Sequence, residues 1–189
     1  MDRNLGASRV AESSTDNLAY GSLFQWGRFA DGHQCRNSVT TSTLASTSAP
    51  TTDQAWSGKF ILSSANPYDW LSTPDTMLWQ GVNGINNPCP TGFRLPTTSE
   101  WETELNSWPK DGVKITSKSA YNSPLKLPVS GARLFTDGEP TQVGTHGSYW
   151  SSSVTGISSY YLFFYSNTNA TSLQPGYRGY GIPVRCLKD

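Results

Sequence analysis

Charge is scarce in this sequence. Asp, Glu, Lys and Arg make up 15% of the 189 residues, and they cancel, 14 cationic against 14 anionic. An average soluble domain carries roughly 25%. Without a basic excess there is little to hold a phosphate backbone, which excludes nucleic acid as the default partner. No apolar run approaches the roughly 20 residues of a membrane-spanning helix. No basic-then-apolar leader follows Met1. The start, Asp-Arg-Asn-Leu-Gly, reads as the interior of a domain, so an earlier strand or signal is expected to precede it. The motifs HExxH, GxSxG, GxGxxG and the P-loop are all missing, which removes the commonest metalloprotease, hydrolase and nucleotide-binding readings.

What fills the space is aromatic and hydroxyl-rich. Seven Trp, nine Tyr and seven Phe supply a core, so the low charge is not a mark of disorder. The length suits one domain, residues 1–189, rather than two. Ser, Thr, Asn and Gly take the place of charged residues, a composition that fits a secreted or cell-surface protein with many turns.

Three cysteines leave one over. Cys89 and Cys186 lie in the most structured contexts and Cys35 in a polar loop, so the preferred pairing is Cys89–Cys186, with Cys35 free or paired externally. Three buried thiols in a reducing compartment is the competing reading. A zinc site on His33 and Cys35 lacks a second pair of ligands at suitable spacing.

The strongest local signal is Asn87–Trp108, NPCPTGFRLPTTSEWETELNSW. Pro88 and Pro90 keep the backbone around Cys89 out of helix. Thr97-Thr98-Ser99-Glu100 is a capping box, and Trp101, Leu105 and Trp108 recur at four- and three-residue spacing. One apolar-faced helix is expected here, ended by Lys110-Asp111-Gly112, and no other well-formed helix is visible. Before it, Phe24 and Trp26 share one side of a predicted strand. Ser38 to Thr52, ten Ser or Thr in fifteen residues, reads as a surface loop with no core of its own. Residues 53–86 read as packed loops studded with Trp. Asp69, Asp75, Asn83, Asn86 and Asn87 offer oxygens for calcium, although no EF-hand loop is present and such residues usually serve turns.

After the helix, Leu125–Val129 and Ala132–Phe135 are predicted strands, Tyr160–Tyr165 is a further one, and Gly181–Leu187 closes the sheet. Pro183 marks an edge or a broken ladder. From Gly144 to Pro183 the only formal charge is Arg178, and nine residues are Tyr, Phe or Trp. Strand alternation puts Leu162 and Phe164 on one side of Tyr160–Tyr165, and Tyr161, Phe163 and Tyr165 on the other. If the first pair is core, three aromatics point outward among Ser and Asn, the composition of adaptable contact surfaces. A strand buried on both sides is the alternative. His146 lies close to Ser148 and Ser151–Ser153, but the nearest acids, Asp137 and Glu139, sit in a turn. Glu100, Glu102 and Glu104 form no convincing acid–base pair, so no catalytic residues are assigned.

The segments DRNLGAS, YGSLFQWGR with DGH, NPCPTGFRLPTTSEW, LKLPVSGAR, GSYWSSS and VRCLKD run in order from Asp2 to Asp189. Together they resemble the Fibrobacter succinogenes major paralogous domain. That family is similar to the C-type-lectin-like superfold, whose formylglycine-generating members carry a segment like Arg94–Glu102. The resemblance implies an α+β fold with short antiparallel strands, one or two helices, long packed loops and termini close together, and it supports the Cys89–Cys186 pairing. The last third is also similar to diversified lectin-like variable regions. This similarity implies Tyr161, Phe163, Tyr165, Asn167, Asn169, Tyr177 and Tyr180 as ligand-binding residues, and Trp150 of the YWSSS segment is counted with them.

Only Cys186 lies in the C-terminal half, whereas copper-dependent formylglycine-generating enzymes use two cysteines there. The calcium and sugar motifs of animal lectins are absent. The expectation is therefore a non-catalytic extracellular recognition or adhesion module for carbohydrate or protein, with calcium as a possible addition. A self-assembling surface subunit, joined through exposed aromatics and a Pro183 edge, is the alternative, and a formylglycine-generating-type enzyme the third.

Overall fold

A computed structural model of the protein describes residues 1–110, 115–166 and 171–189. A 3-10 turn, Asn17–Ala19, precedes β1 (Phe24–Gln25), β2 (Thr40–Thr41), β3 (Phe60–Ile61) and β4 (Phe93–Arg94). Helices α1 (Thr98–Ser107) and α2 (Ser117–Asn122) follow, then β5 (Ala132–Arg133) and β6 (Pro140–Thr141). The chain ends with β7 (His146–Thr155), β8 (Ser158–Tyr165), β9 (Thr171–Tyr177), β10 (Gly181–Ile182) and β11 (Leu187–Lys188). The class is α+β, with mostly short antiparallel strands and two helices among the described residues.

Helix α1 starts where its capping box predicts. Thr97 Oγ1 accepts from Glu100 N, and the Glu100 carboxylate accepts from Thr97 N at 2.8 Å. Arg94 grips the same carboxylate with two nitrogens, at 2.7 and 2.8 Å, while its Nε donates to Asp189 at 2.6 Å. The helix start is thereby tied to the end of the chain. Trp101 and Trp108 are buried against Leu127, Val129, Tyr149, Leu162 and Phe164, with Leu105 packed beside them. Helix α2 falls within the one or two helices that the resemblance implies, but no local signal places it. It is six residues long, has no apolar periodicity, and is started by a Thr116–Ser119 capping box.

Two sheets carry the rest. One has the order β1-β10-β5-β6 and the other β7-β8-β9; β11 pairs with β4, and β2 runs parallel to β3. The Ser38–Thr52 segment is thus not a free loop, since it supplies β2 and buries Ala45. Leu125–Val129 does not form the predicted strand, because its amides go elsewhere: Leu127 N to Ala120 O and Val129 N to Ser14 O. The closing strand is broken at Pro183 into β10 and β11. Pro183 is not an edge, for its carbonyl accepts from Trp150 N.

The β7-β8-β9 sheet separates two cores. Tyr149, Leu162 and Phe164 face α1, while Trp150 joins Phe24, Trp26, Trp70 and Trp79 on the other side. Four indoles of that second core donate to backbone carbonyls, Trp150 to Phe24, Trp26 to Ser151, Trp70 to Trp26 and Trp79 to Asn86, while Trp56 Nε1 is buried without a partner among the described residues. Cys89 and Cys186 form a disulfide, and Cys35 is free and exposed. Met1 N donates to Cys186 O and Leu5 N to Val184 O, so the first residues lie along the last ones.

Much of the scarce charge is spent inside. Arg28, Arg133, Arg178 and Arg185 are all buried. Arg28 pairs with Asp31 at 2.6 Å, and the other Asp31 oxygen meets His33 Nδ1 at 2.6 Å. His33 Nε2 accepts from Gln25 N, which makes the ring neutral with its proton on Nδ1. Arg178 lies 3.6 Å from the buried Asp69 carboxylate. The one charged side chain between Gly144 and Pro183 is therefore internal.

Candidate ligand-binding cleft

Strand β8 has the two faces its alternation predicts. Leu162 and Phe164 are fully buried toward α1, and Tyr161, Phe163 and Tyr165 lie on the opposite face. Register adds neighbours to that face: Trp150 opposite Tyr161, Ser148 opposite Phe163 and His146 opposite Tyr165 on β7, and Gln174 opposite Tyr161 on β9. The rings pack edge to face, Tyr161 on Phe163 at 6.1 Å and Phe163 on Tyr165 at 4.7 Å, with His146 4.3 Å from Tyr165.

This face does not open flat to solvent. The other sheet stands over it, and between the two lies a cleft of about 270 Å³. Tyr161, Phe163, Tyr165, Ser148 and Gln174 form one wall. Ala132, Leu134, Thr141, Gln142, Tyr180 and Ile182 form the other. None of these residues is charged. Gln142 holds a left-handed backbone, φ 59°, unusual for a residue with a β-carbon. Its carbonyl accepts from Thr145 N, His146 N and Thr145 Oγ1, and these bonds fix the turn at the rim.

The sequence-derived candidates separate into groups. Tyr161, Phe163, Tyr165 and Tyr180 meet at the cleft. Tyr177 belongs to an adjoining aromatic cluster, 4.7 Å from Tyr68 and 5.5 Å from Phe135. Trp150 has to be corrected. It shares the face of Tyr161, but β1 and β10 cover that end of the sheet and leave it 0% exposed, beyond the reach of a ligand. Asn167 and Asn169 lie outside the described residues. Sequence reasoning missed Thr141, Gln142, Ser148 and Gln174 as cleft residues. Strand parity alone can find Ser148, two residues from Trp150; the opposite wall carries no local signal.

The cleft is rich in unspent polar groups. Thr141, Gln142, Ser148, Tyr165 and Tyr180 have no hydrogen-bonding partner for their side chains among the described residues. Ser148 is buried, 2% exposed, and lines this space. Gln174 Nε2 donates to Tyr161 OH at 2.7 Å, which leaves the amide oxygen open. Burial raises the pKa of Tyr161 and of Tyr180, so both phenols stay protonated at neutral pH.

No hydrogen bond joins His146 to Ser148 among the described residues. His146 Nδ1 is 2.7 Å from Thr145 Oγ1, burial lowers its pKa, and Asp137 is occupied by Glu139 N. Several of the proposed calcium oxygens are engaged locally. Asp69 accepts from Leu71 N, Asp75 from Met77 N and Asn87 Oδ1 from Cys89 N, whereas Asn86 Oδ1 is buried without a partner among the described residues. Among the described residues no group of three or more His, Cys, Asp or Glu is placed to hold a metal ion.

A larger groove of about 490 Å³ runs between α1 and the chain ends, lined by Trp101, Leu125, Leu187 and Arg185 among others. Its polar side chains are already committed. Glu100 is held by Arg94, Glu104 by Trp108 Nε1, and Arg185 by Asn4 and Leu125 O. Thr103 and Ser107 donate back into their own helix. The smaller cleft is the better candidate for a recognition site, because specificity needs polar groups free to meet a ligand.

In comparisons with known proteins, no family model, no curated protein and no solved structure matches this chain. The cleft has to be judged on its own chemistry.

Proposed function

We propose that the chain is a non-catalytic recognition or adhesion module of a secreted or cell-surface bacterial protein, binding carbohydrate or protein through the cleft between its two sheets. We further propose a C-type-lectin-like fold of the Fibrobacter succinogenes major paralogous type. The observation that carries the functional reading is the convergence of Tyr161, Phe163, Tyr165 and Tyr180 with side chains that have no partner of their own. Aromatic rings supply rigid contact area, and free hydroxyls and amides supply directional bonds. The Cys89–Cys186 disulfide is compatible with an oxidising compartment, and no helix among the described residues is long and apolar enough to cross a membrane.

The test is binding of monomeric protein to an array of glycans and bacterial or host surface proteins. Wild-type protein is expected to bind, and Tyr165→Ala and Tyr180→Phe to weaken binding while the protein stays folded. Concentration-dependent polymers without ligand capture would instead favour a self-assembling subunit. The edge available for that is β9, interrupted by Pro175, which has no amide to donate.

A further inference from the structure

We infer that the cleft takes a single uncharged pyranose ring, such as the terminal hexose of a neutral glycan, and rejects its acidic counterparts. This rests on the recognition reading above and narrows it to one ligand class.

Three observations point the same way. First, no described residue lining the cleft carries a charge, and Arg178, the one charged side chain between Gly144 and Pro183, is buried beside Asp69. A carboxylate or sulfate entering the cleft would lose its water and meet no cation to compensate it. A lysine or arginine side chain from a protein partner would meet no anion.

Second, the open groups match a polyol. Thr141, Ser148, Tyr165 and Tyr180 offer hydroxyls that both donate and accept, and Gln142 offers an amide that does the same. A sugar ring presents hydroxyls around its rim and C–H groups on its faces. The rim can pair with these groups while a C–H face rests on the rings of Tyr161, Phe163 and Tyr165. Ser148 matters most here, because it is a buried residue that lines the cleft and its hydroxyl has no protein partner among the described residues.

Third, the size is right for one ring. The space of about 270 Å³ falls below the roughly 300 Å³ at which pockets for drug-sized ligands begin. A protein partner needs a far broader surface, on the order of 800 Å² from each side. A chain-terminal sugar fits a cleft of this size better than an extended epitope.

The experiment titrates the intact monomer with methyl glycosides of glucose, galactose and mannose, and with the corresponding uronates, by isothermal calorimetry and by NMR. At least one neutral glycoside is expected to saturate, and its uronate to bind at least ten-fold more weakly. Gln142→Ala and Thr141→Val are expected to weaken the neutral sugar five-fold or more without moving the thermal midpoint. Ser148→Ala, isosteric but for one oxygen, serves as the conservative check on the buried hydroxyl. Equal or tighter binding of the uronate overturns the inference. So does a monomer that binds no sugar yet captures a protein in a Tyr165-dependent way, an outcome that leaves the recognition reading standing. Failure to bind either kind of ligand overturns both.

Discussion

The ring of Tyr161 occupies the space that a side chain at Gly176 would need. A β-carbon there would sit 2.6 Å from Tyr161 Cε1 and 3.0 Å from Cδ1. Gly176 lies on β9 beside β8, and its missing side chain lets the tyrosine ring settle across the sheet, against Trp150 on one side and Phe163 on the other. Replacing Gly176 by Ala is expected to push the ring toward the cleft and cost about 1–3 kcal/mol, the usual range for overpacking. Urea unfolding measures the loss. An unchanged midpoint would mean that Tyr161 is not held there.

That contact also marks where the sequence becomes hard to read. The helix start at Thr97 is legible because Thr97 and Glu100 are three residues apart and the capping bonds are local. Strand β8 is legible because aromatic alternation is local too, and it correctly divides Leu162 and Phe164 from Tyr161, Phe163 and Tyr165. The far wall of the cleft is not legible. Thr141 and Gln142 sit on the β5–β6 hairpin, and only the long-range pairing of β10 with β5 brings Ile182 beside them, which no short pattern encodes. Strand β9, with Pro175-Gly176 inside it, looks like a turn. Trp150 is misread for a related reason: its parity is right for the ligand face, but burial depends on β10 docking over it.

The disulfide should carry a large share of the stability. Cys89 and Cys186 are 97 residues apart, and closing a loop of that length in the unfolded chain is worth about 4–5 kcal/mol on the chain-entropy estimate. Reduction, or the double variant Cys89→Ser with Cys186→Ser, should lower stability by several kcal/mol in denaturant unfolding. Loss of less than about 1 kcal/mol would show that the unfolded chain is already compact around this loop. Cys35→Ser, which removes an exposed thiol, should leave stability unchanged.

Acid should destabilise the fold through groups such as Glu100, Asp31 and His33, and be opposed by Asp69. Hydrogen bonds from Arg94 hold Glu100 at about 2, below its ordinary 4.5, so its contribution is complete above pH 4.5 and is lost as pH falls toward 2. Burial pushes His33 below its ordinary 6.5, so the unfolded chain takes up the proton first and stability falls as pH drops below that value. Asp69 works in reverse. Burial raises it from 3.8 to about 6, so the folded state takes up the proton first and gains stability as pH falls from 6 to 3.8. Asp69→Asn, which removes this opposing term, should make the stability loss between pH 6 and 4 steeper. Urea midpoints at half-unit pH steps measure it, and a shallower profile would contradict the assignment.

Core and site aromatics should separate in a paired measurement on Trp150 and Tyr165. Trp150 is inaccessible, and its indole donates to Phe24 O at 2.8 Å, in the strand that pairs with β10. Trp150→Phe keeps a ring in place but leaves that buried carbonyl without its donor, at an expected cost of about 1–3 kcal/mol. Tyr165 has a partly exposed ring at the mouth of the cleft, and its hydroxyl has no partner among the described residues. Tyr165→Ala should therefore change stability by less than about 1 kcal/mol, since it vacates a surface rather than a core. Binding should respond in the opposite order: Trp150→Phe retains affinity at temperatures where it is folded, and Tyr165→Ala loses it. If instead Trp150→Phe abolishes binding in a fully folded protein, the sheet end under β10 must open to admit ligand, and the recognition surface would extend beyond the cleft.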